Sequence, residues 1–193
     1  QATGLEDRIS LAIEALQGDA LATARIEGEE LPPESVRSSI ARRLGLDRTG
    51  LAPEQRQVEG LIEMLDDATR NHAGPLTEDR LFGWHAALFP SGFSHLQSIT
   101  VGSWRKESVT VQSGRIGSER IHFKAPDPGR VQEEMVALLA WWNGTEVEDS
   151  ALKAGLAHLR FETIHPFEDG NGRIGRALID MALAAGDDVN LRY

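Results

Sequence analysis

The segment HPFEDGNGRIGR, residues 165–176, brings a base, carboxylates and arginines close together along the chain. His165 carries a ring that exchanges a proton near neutral pH. Asp169 offers a hard oxygen ligand of the kind that Mg²⁺ prefers. Arg173 and Arg176 can each grip phosphate oxygens with a forked set of donors. These residue types suit chemistry in which an acceptor attacks a metal-bound polyphosphate.

The backbone of the same segment is suited to a turn that binds an anion. Pro166 disfavours helical geometry in the residue before it, so a preceding helix should end near His165. Gly170 and Gly172 let the backbone approach a ligand closely, and Asn171 lies between them. Unpaired N–H groups at the start of the following helix form a ready anion site.

Two other phosphate-binding motifs are excluded. Gly170, Gly172 and Gly175 match the spacing of the dinucleotide-binding fingerprint, but that motif should follow a strand. The upstream segment 151–164 instead carries leucines at helical spacing. The P-loop is also excluded, because no Gly-Lys-Ser/Thr ending is present.

The segment HPFEDGNGRIGR resembles the signature of the Fic-domain family, HPF-x-[D/E]-GN-G-R-x-x-R, at every fixed position. Residues 158–164 also resemble the helix that leads into that signature. The resemblance implies a protein adenylyltransferase that uses ATP and Mg²⁺ (or Mn²⁺). In such an enzyme a Ser, Thr or Tyr hydroxyl of a target protein attacks the α-phosphorus, and pyrophosphate leaves.

The resemblance also implies a role for each signature residue. His165 would be the general base, and Asp169 would hold the metal. The anion hole and the outer phosphate contacts would come from Gly170, Asn171, Gly172, Arg173 and Arg176.

A second motif lies upstream, in the sequence TARIEG. Thr23 and Glu27 share a helix face. Glu27 falls in the last turn, where the helix dipole disfavours a carboxylate, so it either faces solvent or has a cationic partner. The residues alone favour solvent. However, Thr23, Glu27 and Gly28 resemble the inhibitory motif [S/T]-x-x-x-E-[G/N] of Fic proteins, which implies that Glu27 reaches Arg176 and blocks productive nucleotide placement.

Apolar spacing predicts helices along most of the chain. Gly18 is expected to end a first helix, and Asp19 is expected to cap a second one that ends at Gly28. Thr77 and Asp149 are predicted N-caps of later helices. The predicted fold class is all-α, a Fic-type helical bundle with one β-hairpin flap.

The hairpin is predicted from alternation at Val109 and Val111, a glycine-containing turn at 113–118, and alternation at Ile121 and Phe123. An open strand edge can accept an extended peptide, although a flap without a partner is also compatible with the pattern. The resemblance favours docking of the target protein.

Two domains are expected. Residues 1–54 would form N-terminal helices that include an inhibitory helix at about 19–28. Residues 55–193 would form the Fic core, with the flap hairpin at about 101–124.

Composition limits the classes of partner. The net charge of −10 argues against direct nucleic-acid contact. No stretch is long and apolar enough for a membrane span and no cysteine is present, so we expect a cytoplasmic protein. A homo-oligomer is compatible with the sequence. Residues 101–130 contain a basic strip that suits a polyanionic ligand or an acidic protein segment. The same charges are equally compatible with a solvated loop. The strip consists of Arg105, Lys106, Arg115, Arg120, Lys124 and Arg130.

Several alternatives to adenylyl transfer stay open. Within the family, the same site can remove AMP from a modified protein, with Glu27 positioning water, or can use another nucleotide or a phosphocholine donor. Outside it, His165, Asp169 and the arginines could serve a metal-dependent phosphohydrolase. A nucleotide-sensing module is a further class, but binding alone would not require His165.

Overall fold

The computed structural model describes residues 2–46, 50–53, 55–113, 120–144 and 149–186. These residues form seven helices and two short antiparallel hairpins, so the predicted all-α class is confirmed. The helices are α1 (Ala2–Ile26), α2 (Pro33–Arg43), α3 (Arg56–Arg70), α4 (Glu78–Leu88), α5 (Pro128–Gly144), α6 (Ser150–Ile164) and α7 (Asn171–Gly186). None of the described helices is long and apolar enough to cross a membrane.

The core is arranged around α7, which contacts α1, α3, α4 and α6. Ile174, Leu178 and Met181 recur at helical spacing on α7 and are fully buried. Each such side chain contributes roughly 1.5–3 kcal/mol by leaving water. Because α7 directly follows the signature turn, this packing fixes the position of the turn.

The predicted helix boundary at Gly18 is wrong, because α1 continues through it to Ile26. A glycine inside a helix costs only about 1 kcal/mol relative to alanine. Leu16, Ala20 and Ala24 form one buried stripe across that position, and their packing outweighs the cost. Segment 19–28 is therefore mainly the C-terminal part of a long helix. The predicted stop at Gly28 is correct, since Gly28 has a φ of 78° just beyond the helix.

The ends of two other helices follow the sequence prediction. The Thr77 hydroxyl accepts a hydrogen bond from the N–H of Arg80 at 3.1 Å, at the start of α4. The Asp149 carboxylate accepts two N–H groups in the first turn of α6, at 2.9 and 3.0 Å. α6 ends at Ile164, two residues before Pro166. The predicted caps and the predicted end of the helix are therefore confirmed.

The two hairpins differ in how well the sequence predicts them. β1 (Phe93–Ser94) and β2 (Gln97–Ser98) form a small hairpin that the sequence did not predict, because two-residue strands show no alternation. β3 (Thr110–Ser113) and β4 (Arg120–Lys124) form the predicted flap, with a register irregularity between Val111 and Gln112. Within the predicted turn at 113–118, only Ser113 lies among the described residues.

Candidate active site

His165 lies at the C-terminal end of α6 with a left-handed backbone, φ 50° and ψ 62°. Its N–H still donates to the carbonyl of Phe161 at 2.8 Å, so it closes the last turn. A non-glycine residue with positive φ is strained by about 1–3 kcal/mol and persists only where its surroundings hold it. The side chain of His165 is about 29% exposed and so is accessible from solvent.

Arg105 holds this strained helix end. Its side chain is buried, and its Nε donates to the carbonyl of His165 at 2.6 Å. Its Nη2 donates to the carbonyl of Ile164 at 3.3 Å, and its backbone N–H donates to the carbonyl of Pro166 at 2.8 Å. These bonds satisfy carbonyls that a helix end leaves without partners. Burial lowers the pKa of the Arg105 guanidinium below its usual value.

The same guanidinium also binds the two chain segments that flank the flap, just before β3 and just after β4. Its Nη1 donates to the carbonyl of Glu107, and its Nη2 donates to the carbonyl of Pro126, each at 2.7 Å. Arg105 therefore connects the flap to the loop of His165, a role that the sequence did not indicate. Arg105 fits neither interpretation of the basic strip, a ligand surface or a solvated loop, because its side chain is buried and backbone carbonyls accept from its guanidinium.

The rest of the basic strip is also partly neutralised. Nζ of Lys124 lies 3.2 Å from Oδ1 of Asp127, and Nη2 of Arg130 lies 2.5 Å from Oε1 of Glu134. The structure does not describe Arg115 or the side chain of Arg120.

A buried histidine that the sequence analysis missed lies beneath the signature loop. The ring of His85 stacks on Phe167, with centroids 4.2 Å apart and planes 9° apart. Its Nδ1 accepts the N–H of Gly102, and its Nε2 donates to the carbonyl of Asp169, each at 3.2 Å, as assigned from the partners. Burial lowers the pKa of His85 to about 4. The sequence contained one indication of this position. His85 follows Leu81 by one helical turn, so the two side chains share the buried face of α4.

Asp169 presents its carboxylate at the bend of the loop. One carboxylate oxygen accepts the N–H of Gly170 at 2.5 Å, and the other accepts the hydroxyl of Ser94 in β1. The side chain is about 35% exposed, so it is oriented but open to solvent. Gly170 has a φ of 81°, and a Cβ there would lie 2.8 Å from the Phe89 ring, so this position requires glycine.

Asn171 stabilises the loop with its side chain. Its amide accepts from the N–H of Phe167 and donates to the Phe167 carbonyl, both at 2.9 Å and both buried. The first helical bond of α7 runs from the N–H of Ile174 to the carbonyl of Gly170 at 3.0 Å. The N–H groups of residues 171–173 therefore have no carbonyl of their own helix, as expected of an anion site.

Arg173 is buried. Its Nη1 lies 3.2 Å from the carboxylate of Glu29, and its Nη2 lies 3.7 Å from that of Asp169. The guanidinium also lies 4.9 Å from the centre of the Phe89 ring. Glu29 is a partner that the sequence did not predict.

Arg176 binds the end of α1. Its Nε donates to the hydroxyl of Thr23 at 2.6 Å, and its Nη2 contacts the carboxylate of Glu27. Glu27 also lies against the backbone of Gly172, where a Cβ would collide with its Oε1 atom. The carboxylate therefore lies at the N-terminus of α7, in the predicted anion site. Gly28 follows it and reverses the chain.

The structure thus brings Asp169, Thr23 and Glu27 to the arginines at the start of α7, and two cavities open beside them. The cavities share Ser94, and one also reaches Arg173 while the other reaches Asp169 and Glu168.

Two family models match this chain. The "Fic/DOC family" model matches residues 75–183, and a domain of unknown function (DUF4172) matches residues 1–46. The "Uridine 5'-monophosphate transferase" of Xanthomonas campestris is 30% identical over 117 residues, or 56% of this chain and 21% of that protein. The "Protein adenylyltransferase fic-1" of Caenorhabditis elegans is 32% identical over 78 residues, or 38% of this chain and 15% of that protein.

A solved Fic domain containing signaling protein from Bacteroides thetaiotaomicron has the same fold, with a TM-score of 0.66 at 24% identity over 93% of this chain and 66% of that one. The chain spans about a fifth or less of the length of the two sequence relatives. The family model includes the whole signature segment and more than half of the residues of this chain. This chain therefore belongs to the Fic/DOC family.

Proposed function

We propose that this chain is a protein adenylyltransferase, which transfers AMP from ATP to a Ser, Thr or Tyr hydroxyl of a target protein. The observation that supports the proposal is the turn between α6 and α7, in which His165 ends α6 and Asp169 lies 3.7 Å from Arg173 of α7, with Arg176 on the same helix. A base, a metal ligand and a phosphate site are the parts that nucleotidyl transfer requires. The name of the Caenorhabditis elegans relative supports the same activity.

In the proposed reaction the target hydroxyl gives its proton to the imidazole of His165. The hydroxyl oxygen forms a bond to the α-phosphorus as the bond to the bridging oxygen breaks, and pyrophosphate leaves with that electron pair. The free N–H groups of residues 171–173 and the guanidinium of Arg176 stabilise negative charge on the phosphates. General base catalysis typically contributes about 10²–10⁴-fold in rate.

Mg²⁺ or Mn²⁺ fits the donor set of this site. The described residues contain no cluster of three His, Cys, Asp or Glu side chains that could hold a metal ion. Mg²⁺ commonly needs only one or two carboxylates, because phosphate oxygens and water complete its coordination. Asp169, fixed by Ser94 and Gly170 and open to solvent, would hold it. When bound, the ion would neutralise charge on the leaving pyrophosphate.

We further propose that Glu27 restrains the enzyme, together with Thr23 and Gly28. A carboxylate at the N-terminus of α7 competes with phosphate for the same N–H groups. Its contact with Arg176 also denies that arginine to an outer phosphate. ATP would then bind with its α-phosphate misplaced for attack. The glycine at position 28 lets the chain turn immediately after the glutamate.

The flap is proposed to dock the target protein as an added strand. β3 and β4 pair only with each other in the described residues, so each has an outer edge without a sheet partner. Arg105 ties the two segments that flank the flap to the loop of His165, so a docked strand would have a defined position relative to the base.

The proposal is tested by incubating Glu27→Gly protein with each α-labelled nucleoside triphosphate and a cell extract. We expect label from ATP on protein, and no label when His165→Ala is added to the same background. Label from UTP alone would instead support uridylyl transfer, the activity in the name of the Xanthomonas campestris relative. No transfer from any nucleotide, with release of AMP from a modified protein, would support the reverse reaction.

A further inference from the structure

A carboxylate on α6 lies between His165 and the surface on which α7 packs. Glu162 precedes His165 by one helical turn, and its Oε2 atom lies 3.7 Å from Nδ1 of His165. Its other oxygen, Oε1, is buried and has no hydrogen-bond partner in the part of the chain that the structure describes. One carboxylate thus has one oxygen facing the candidate base and the other inside the protein.

The buried oxygen has space only because α7 has a glycine at the contact. A Cβ on Gly175 would lie 2.8 Å from Oε1 of Glu162 and 2.8 Å from Nδ1 of His158. That His158 nitrogen is likewise buried without a hydrogen-bond partner among the described residues. The two unpaired atoms therefore border the same small space above the α7 backbone.

Stability does not explain a glutamate at this position. A buried carboxylate oxygen without a partner carries a desolvation penalty, whereas an apolar side chain of the same length would carry none. Unpaired buried groups of this kind are few in native proteins, and a catalytic role is one of the reasons for them. Here the other oxygen, Oε2, faces His165, which the proposed reaction uses as its base.

We propose that Glu162 is a positioning residue for His165, an inference that rests on the proposed function. The carboxylate accepts the Nδ1–H of His165, which leaves Nε2 unprotonated and free to take the proton of the target hydroxyl. When that proton arrives, the ring becomes a cation, and Glu162 stabilises it without taking its proton. Activated groups in enzymes commonly have such an orienting partner, and these bonds often shorten only in the substrate complex.

The test compares Glu162→Met with the parent in a Glu27→Gly background. Methionine keeps the length of the side chain and removes both the charge and the acceptor. The matched control is Glu133→Met, which removes an exposed glutamate from α5. Histidine ¹⁵N chemical shifts report which ring nitrogen of His165 carries the proton, and a His165→Asn variant assigns its signals. Melting temperature, ATP affinity and transfer rate are measured on each protein.

We expect the parent and Glu133→Met to hold the proton of the neutral His165 ring on Nδ1. In Glu162→Met it should move toward Nε2, the ordinary preference of a free imidazole. Transfer should fall about tenfold or more, with ATP affinity within about twofold and an unchanged or higher melting temperature. A residue needed only for folding would lower the melting temperature and the transfer rate together.

An unchanged proton position in Glu162→Met would overturn the inference, whatever the chain transfers. If Glu162→Met does not fold, the same measurements on Gly175→Ala decide, because the added methyl group displaces the carboxylate and should shift the proton in the same direction. If the proton shifts in Glu162→Met but the parent chain itself transfers no nucleotide, the pairing of Glu162 with His165 stands. That result would overturn the proposed function instead.

Discussion

At the scale of single residues, His165 would carry out the chemistry, whereas the side chains around it hold the loop in place. The loop that carries His165 is held by groups that take no part in the proposed reaction. Arg105 binds its carbonyl, His85 stacks beneath Phe167, and Asn171 fixes the turn. Substitutions at these positions should therefore affect stability or geometry, whereas substitutions at His165 should affect chemistry.

Replacing His165 with alanine separates chemistry from binding. In a Glu27→Gly background we expect transfer from ATP to fall by about 10²-fold or more, because the base is lost. ATP affinity should change less than about twofold, since the phosphate site at α7 stays intact. Label transfer and isothermal titration check the two quantities, and transfer at the parent rate would contradict the mechanism.

His85 gives the fold a dependence on pH with a defined sign. Its pKa is about 4 in the folded protein, below the usual 6.5, so the unfolded chain takes up the proton first. Stability from this group is therefore complete above about pH 6.5 and is lost as the pH falls toward 4. The loss is on the order of 3 kcal/mol.

Urea denaturation at several pH values measures this effect. We expect the free energy of unfolding of the parent to decrease between about pH 6.5 and about pH 4.5. In His85→Gln the decrease over the same range should be smaller, although the protein is less stable throughout because the stacking on Phe167 is lost. Equal decreases in the two proteins would mean that another group titrates.

At the scale of elements, α1 is the helix for which sequence and structure disagree. Gly18 is exposed, and a Cβ there would meet nothing within 4 Å. Gly60 on α3 is the opposite case, because a Cβ there would lie 2.5 Å from the carbonyl carbon of Ala87 on α4. The two glycines are thus present for different physical reasons.

Two alanine variants test this difference. Gly18→Ala should stabilise the protein by about 0.5–1 kcal/mol, because α1 is helical at that position and alanine favours helix. Gly60→Ala should destabilise it by about 1–3 kcal/mol, because α3 and α4 must move apart. Chemical denaturation measures both changes. A destabilising Gly18→Ala would indicate that α1 is interrupted there after all.

The flap is the element whose role depends most on a partner. A proline on the strand edge that faces the target removes an N–H from the ladder to an added strand. We expect target modification to fall more than ATP binding when single prolines are placed along β3. Equal loss of both would indicate misfolding, and no loss at any position would remove the docking role.

At the scale of the whole molecule, the N-terminal helix and the signature are far apart in sequence and joined in space. α1 packs on α3 and α7, which brings Thr23 and Glu27 to Arg176. Glu29 reaches Arg173 just beyond the end of α1. Both signature arginines therefore contact one segment, although Arg173 also contacts Asp169 and the Phe89 ring.

The proposed restraint predicts different effects on transfer when Glu27 is substituted and when Arg176 is substituted. Glu27→Gly should raise transfer by about tenfold or more, with a smaller effect on ATP affinity, because it frees Arg176 and the N–H groups of α7. Arg176→Ala breaks the same contact but removes a phosphate ligand, so it should not activate. Equal transfer by Glu27→Gly and the parent, across a range of ATP and Mg²⁺ concentrations, would show that no restraint exists.

The sequence by itself determined the helical class, the caps at Thr77 and Asp149, the end of α6 before Pro166 and the signature loop. These features depend on local rules: helical spacing, capping oxygens, and the geometry of proline and glycine. Local rules failed at Gly18, where the packing of a long buried stripe outweighs the preference of one residue.

Only the tertiary structure decided which distant side chains meet at the site. The buried Arg105, the His85 ring under Phe167, the Glu29 contact with Arg173 and the unpaired oxygen of Glu162 all depend on how separate elements pack. Spacing could place His85 on the buried face of α4, but charge and spacing could not reveal the contacts themselves, because they join residues from separate elements. The motif thus indicates the chemistry, and packing determines which side chains contact its residues.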